Sequence, residues 1–201
     1  MARSMPSYDE TMLKPLPSMI SILDAKFTTW TPLQLKFKPH LVSWSIVDAA
    51  TDELYFRSTG AWSTRRLLDQ RDNVVAVSKV HFFTMEHRRD VYTTDKRDLC
   101  VMSCSVSSAS SRLNCLVVVT ITRQQYSFDV EGNWKQRQAS IRCNDHIVAK
   151  TKRQSWLQND LQVEIVPGMD AAFIALLCLM LERAARDDHR RRLAGMSGGL
   201  S

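Results

Sequence analysis

Residues 171–181 read AAFIALLCLML, eleven apolar residues in a row near the end of a 201-residue chain. The stretch is rich in helix formers, and Pro167-Gly168 breaks the chain ahead of it. Asp170 stands where a side-chain oxygen can accept from the unpaired N–H groups of a first helical turn. As a helix the run would be about 16 Å long, roughly half the hydrocarbon core of a bilayer, so it does not read as a membrane span. It has no polar face either. A helix apolar on every side must be covered on every side, and the rest of the chain has to supply the cover.

The sequence before residue 167 supplies strands. Leu33, Leu35 and Phe37 alternate with polar residues, Val42, Trp44 and Ile46 alternate with Ser43 and Ser45, and Leu161, Val163 and Ile165 alternate with Gln162 and Glu164. Residues 66–80, RLLDQRDNVVAVSKV, read as strand, tight turn at 71–73, strand, and Asn144-Asp145 marks a second bend of the same kind. Further strands are expected at 80–86, 88–95, 98–106, 113–124 and 126–130, with no helix longer than a turn or two before residue 168. Short antiparallel strands and one greasy helix have a common solution. The sheet curls around the helix, its inward side chains cover the rod, and closure removes the exposed sheet edges.

Two stretches resemble each other: GAWSTRRLLDQRDNVVAVSK (60–79) and GNWKQRQASIRCNDHIVAK (132–150). Both open Gly-x-Trp, both hold an arginine five residues after the glycine, and both close on a Val-Ala pair behind another β-branched residue. Two related half-barrels would explain this, with Gly60 and Gly132 where the backbone bends or strands pass closely. Trp62 and Trp134 would then be matched packing residues.

The ending of the chain resembles the LURP-one-related proteins, which belong with the tubby C-terminal-like domains and the phospholipid scramblases. The residues that carry the likeness are Val148, Ala149 and Lys150 with Lys152 and Arg153, the alternating 161–166, the turn Pro167, Gly168, Asp170, and the apolar 171–181. The segment 41–62 is similar to the family's first repeat. The resemblance covers about 25–187 and implies a closed, antiparallel, twelve-stranded β-barrel around one central hydrophobic C-terminal helix, with Phe173, Leu177 and Leu181 in its core. It implies no shared enzymatic site; tubby-type domains bind phosphoinositides and scramblases attach to membranes.

Charge points the same way. Lysine and arginine number 27 against 21 acids, a net charge of +6, which favours anionic partners. Arg65-Arg66, Arg88-Arg89 and Lys150, Lys152, Arg153 lie beside predicted bends or strand ends, and Lys150 and Lys152 should share one strand face. Converging, they would suit the phosphates of acidic lipid headgroups; scattered, they are solvated charge. Nucleic acid is disfavoured, because the aromatic-basic pairing of Trp134 with Lys135 is matched by Trp62 in the other half. No His-Glu-x-x-His, Gly-x-Ser-x-Gly or glycine-rich phosphate loop occurs, and the five cysteines have neither metal nor disulfide spacing. No catalytic residue, metal or cofactor is expected.

The expected organisation is a flexible arm at 1–24, one domain at 25–187 and a basic tail at 188–201. No secretory signal opens the chain, so the expected location is the cytoplasm, with a membrane face or the nucleus as alternatives. The expected function is non-catalytic binding or scaffolding, with an acidic phospholipid surface or another protein as partner. The alternative is a carrier or small enzyme for a hydrophobic molecule held in a cavity between barrel and helix.

Overall fold

The computed structural model describes residues 13–61, 63–80, 87–94, 97–107, 112–133, 138–153 and 160–182. The twelve strands are β1 (Leu33–Pro39), β2 (Trp44–Asp48), β3 (Leu54–Thr59), β4 (Thr64–Leu68), β5 (Val74–Val80), β6 (His87–Tyr92), β7 (Asp98–Ser107), β8 (Arg112–Val119), β9 (Gln125–Asn133), β10 (Gln138–Cys143), β11 (His146–Arg153) and β12 (Leu161–Ile165). Each pairs antiparallel with the next in chain order, and β12 closes on β1 with Leu33 opposite Ile165 and Phe37 opposite Leu161. The result is an up-and-down meander without a free edge.

The helix α1 (171–182) fills the barrel. Residues 171–178 have no exposed surface, nor do the strand residues Leu35, Phe37, Ile46 and Phe128. The Phe128 and Phe173 rings lie with centroids 4.9 Å apart. The alternation that marked the strands is therefore a division between rod and water. Leu177, like Phe173, is fully buried, and Leu181 is nearly so.

The two expected bends are present. Asp72 and Asn144 sit at left-handed φ of 59° and 51°, which short polar side chains tolerate. Asp48 and Asp69 build two further turn contacts, Asp48 accepting from Ala50 N at 2.8 Å and Asp69 from Arg71 N at 2.9 Å. Several details differ from expectation: the strands expected at 113–124 and 88–95 end at Val119 and Tyr92, the first at a turn where Arg123 takes a left-handed φ of 58°. Val42 precedes β2 and lies in solvent, because the chain reverses at His40–Ser43, closed by His40 N donating to Ser43 O at 2.9 Å. Residues 16–24 are joined to the turn before α1 rather than forming an arm with little order. Leu16 N donates to Pro167 O at 3.1 Å and Ile20 N to Gly168 O at 2.8 Å, while Ile22 and Leu23 are buried. Their apolar side chains cover the rod's open end, which the strands leave uncovered. Residues 1–12, 62, 81–86, 95–96, 108–111, 134–137, 154–159 and 183–201 lie outside the described set, and with them Trp62, Trp134 and the basic tail.

Candidate functional site

α1 gives the barrel two chemically different ends. At the lower end, where α1 begins, Asp170 is fully buried. Its Oδ1 accepts from Phe173 N at 3.0 Å, the expected cap, and its Oδ2 accepts from Ile22 N at 3.0 Å, Leu23 N at 2.7 Å and Asp24 N at 3.3 Å. Burial pushes its pKa up, and these backbone donors oppose the rise. With its two carboxylate oxygens accepting from four backbone N–H groups, Asp170 is a clamp, not a reacting group. The hairpin turns at this end, with the strand residues that open or close them, carry Asp48, Asp52, Glu53, Asp69, Asp72, Asp98 and Asp145 against Arg71, Arg97 and Arg123.

The upper end, where α1 finishes, is basic. The last three residues of each strand at the upper end include Lys38, Arg57, Arg65, Arg66, Lys79, Arg88, Arg89, Arg112, Lys152 and Arg153 against Glu131, with Asp160 in the loop before β12 and Glu182 on α1 as further acids at this end. Lys38 and Arg57 reach down to Asp52 and Asp72, at 2.6 and 3.0 Å. Acids beside the N terminus of a helix and bases beside its C terminus both complement its dipole.

The seven basic residues singled out in the sequence do not form one patch. β4 and β6 stand on the opposite wall of the barrel from β11. Neighbouring residues on a strand face opposite ways, so each pair is split. Arg66 is exposed, whereas Arg65 shares the inward face with fully buried Leu67 and donates through Nη1 to Ser58 Oγ at 3.1 Å. Arg89, 8% exposed, shares the inward face with Val91. Lys150 and Lys152 do share the outer face, although Lys150 is only 9% exposed while Lys152 is open to solvent. Lys150 stands opposite Glu164. The side chains of Arg88 and Arg153 lie outside the described set.

The glycines show how the halves correspond. A Cβ on Gly60 would lie 2.6 Å from Thr64 O and 3.5 Å from Arg65 Cα, and one on Gly132 would lie 2.6 Å from Gln138 O and 3.0 Å from Ala139 Cα. Arg65 therefore corresponds to Ala139, not to Arg137 as the even spacing suggested. The register carries this onward. Leu67 pairs with Ala76 as Ile141 pairs with Ala149, and Arg65 pairs with Ser78 as Ala139 pairs with Thr151. Ser78 faces Val91 as Thr151 faces Val163. Two residues before Val91 and Val163 stand Arg89 and Leu161, and two before the glycines stand Ser58 and Val130.

One half thus lines the upper interior with Ser58, Arg65, Ser78 and Arg89, and the other with Val130, Ala139, Thr151 and Leu161. Thr151 Oγ1 is satisfied by the Ala139 backbone, accepting from its N at 3.1 Å and donating to its O at 3.3 Å. Ser78 Oγ, fully buried, has no hydrogen-bond partner among the described residues. An unpaired buried hydroxyl costs about 1–3 kcal/mol. Glu182, 4% exposed, ends the described part of α1 at the same level. The pattern was missed in the sequence because Arg65 and Arg89 read as surface charge until the inward set is known.

The sequence matches the LURP-one-related family model over residues 33–182, most of the chain. The chain belongs to the LURP-one-related family. Protein LURP-one-related 15 of Arabidopsis thaliana is 28% identical over 142 residues, 64% of this chain and 65% of that relative, so the match spans less than two thirds of the relative's length. The crystal structure of an Arabidopsis thaliana protein superimposes with a TM-score of 0.63 at 22% identity, covering 82% of this chain and 98% of that one. At that identity the likeness extends to the barrel alone. The LURP-one-related match begins at β1 and ends with the last described residue of α1, so the helix and its complete wall are the family unit.

Proposed function

We propose that this LURP-one-related chain is a non-catalytic binding domain that meets acidic phospholipid surfaces with its upper end. The observation that carries the reading is the loop between β1 and β2. Leu41 is 100% exposed and Val42 76% exposed, in solvent at the end of the barrel where the basic strand ends gather. Exposed Arg66, Lys79 and Lys152 flank that loop on both sides around the rim. Two apolar side chains at a tight reversal, with exposed cations on strands to either side, match an interface that is anionic outside and apolar within. Among the described residues no helix is long and apolar enough to cross a membrane, so contact through this rim would be peripheral.

Co-sedimentation with vesicles tests the reading. Recovery should be several-fold higher with phosphatidylserine-containing vesicles than with neutral ones at low salt, should fall as salt screens the rim, and should drop for the Leu41→Asp, Val42→Asp double variant. Equal recovery on neutral and acidic vesicles at low salt would defeat it. A carrier role for a hydrophobic molecule finds no comparable support.

A further inference from the structure

We propose that the inward face of β4–β6 at the upper end of the barrel is a binding site for a phosphate oxyanion, made by Arg65, Arg89 and Ser78 with Ser58 as support. The two halves of the barrel provide an internal control. At the four corresponding positions the second half carries Val130, Ala139, Thr151 and Leu161, so this scaffold closes around α1 without any guanidinium inside it. The first half places two there. Ser78 stands directly opposite Arg65 and diagonal to Arg89, within reach of both side chains. Its hydroxyl is the one side-chain group in this set that is fully buried with no partner. Arg65 Nη1 donates to Ser58 Oγ at 3.1 Å, which turns the guanidinium toward this face.

Charge supports an anion. Arg65, Arg89 and Glu182 are the described inward-facing charges at this end, and an oxyanion would share the two guanidiniums with the contacts they already make. A phosphate has oxygens enough to take planar N–H pairs from both guanidiniums and a hydrogen bond from serine. Ser78 has no exposed surface, so the anion engages the two arginines first and the hydroxyl completes the set as they adjust. The site differs from the exposed rim and does not rest on the membrane reading.

Calorimetric titration of the full chain with inorganic phosphate at low ionic strength, against a chloride blank, tests the proposal. Saturable binding to the wild type is expected. Ser78→Ala should weaken it several-fold without lowering the melting temperature, since the hydroxyl removed has no partner. Arg89→Leu, which copies the residue of the second half, should abolish it while the chain still melts cooperatively. Binding that is absent from the wild type, or unchanged in both variants, overturns the site. Vesicles containing phosphatidic acid separate the two sources of phosphate. Loss of vesicle recovery in Arg89→Leu would assign a lipid headgroup, and unchanged recovery beside lost phosphate binding would assign a free phosphate; both support the site. The titration contains no lipid, so its failure and that of membrane docking are distinguishable.

Discussion

At Gly60 and Gly132 backbone chemistry fixes residue identity. Both have positive φ, 102° and 120°, and at both an added Cβ would meet a carbonyl oxygen at 2.6 Å. That oxygen belongs to the neighbouring strand, so it cannot swing aside as a flexible side chain could. Gly132→Ala should therefore lose about 2 kcal/mol or more, read as a lower urea midpoint with an unchanged m-value; an unshifted midpoint would mean that the hairpin yields at no cost. These glycines were legible as a repeated pair. The residues after them were not, because matching by count aligns Arg65 with Arg137, whereas the hairpin geometry aligns Arg65 with Ala139.

Among elements, α1 and segment 16–24 depend on each other. The helix needs its first turn satisfied and its open end covered. Asp170 does the first through Phe173 N, and Ile22 and Leu23 do the second while three N–H groups of their segment are held by the same carboxylate. A chain beginning at residue 25 removes both Ile22 and Leu23 and leaves a buried carboxylate short of donors, at a cost of about 3 kcal/mol or more. Its melting temperature should fall clearly below that of the full chain, and equal melting would restore the view of 1–24 as a dispensable arm. The cap was readable from Asp170 and the apolar run. The clamp was not, since its partners lie 146 to 148 residues away in sequence.

For the whole molecule, the closed barrel keeps its thiols from water. Cys100, Cys115, Cys143 and Cys178 are buried thiols that form no disulfide. Burial pushes Cys100 up to about 12 and Cys143 to about 11, and raises Cys178 as well, with the Glu182 charge adding to it. In the unfolded chain the same thiols ionise near 8.5. A pKa raised by folding adds stability that is complete below the unfolded value and is lost as pH climbs through the folded one. The urea midpoint should be level up to about pH 8 and decline from there towards pH 11. Iodoacetamide at pH 8.5 should leave these four cysteines unlabelled in the native protein and label them in guanidinium. A level midpoint to pH 10.5, or native labelling, would mean that the barrel opens readily.

The sequence by itself determined the rod and the alternating wall, since each is a local periodicity: no polar face along 171–181, and apolar residues alternating with polar ones in β1 and β12. Those patterns require a closed β-barrel whatever its details, because an all-apolar helix and many strand edges must both be removed from water. Only the tertiary structure decided which charges face in. Arg65 and Arg66 are neighbours of one residue type, and pairing across β3, β4 and β5 sends one inside and the other out. Facing direction is a property of register, which is set by partners far along the chain, so the interior arginines, the exposed Leu41 and Val42, and the clamp on Asp170 became visible only once the strands had closed.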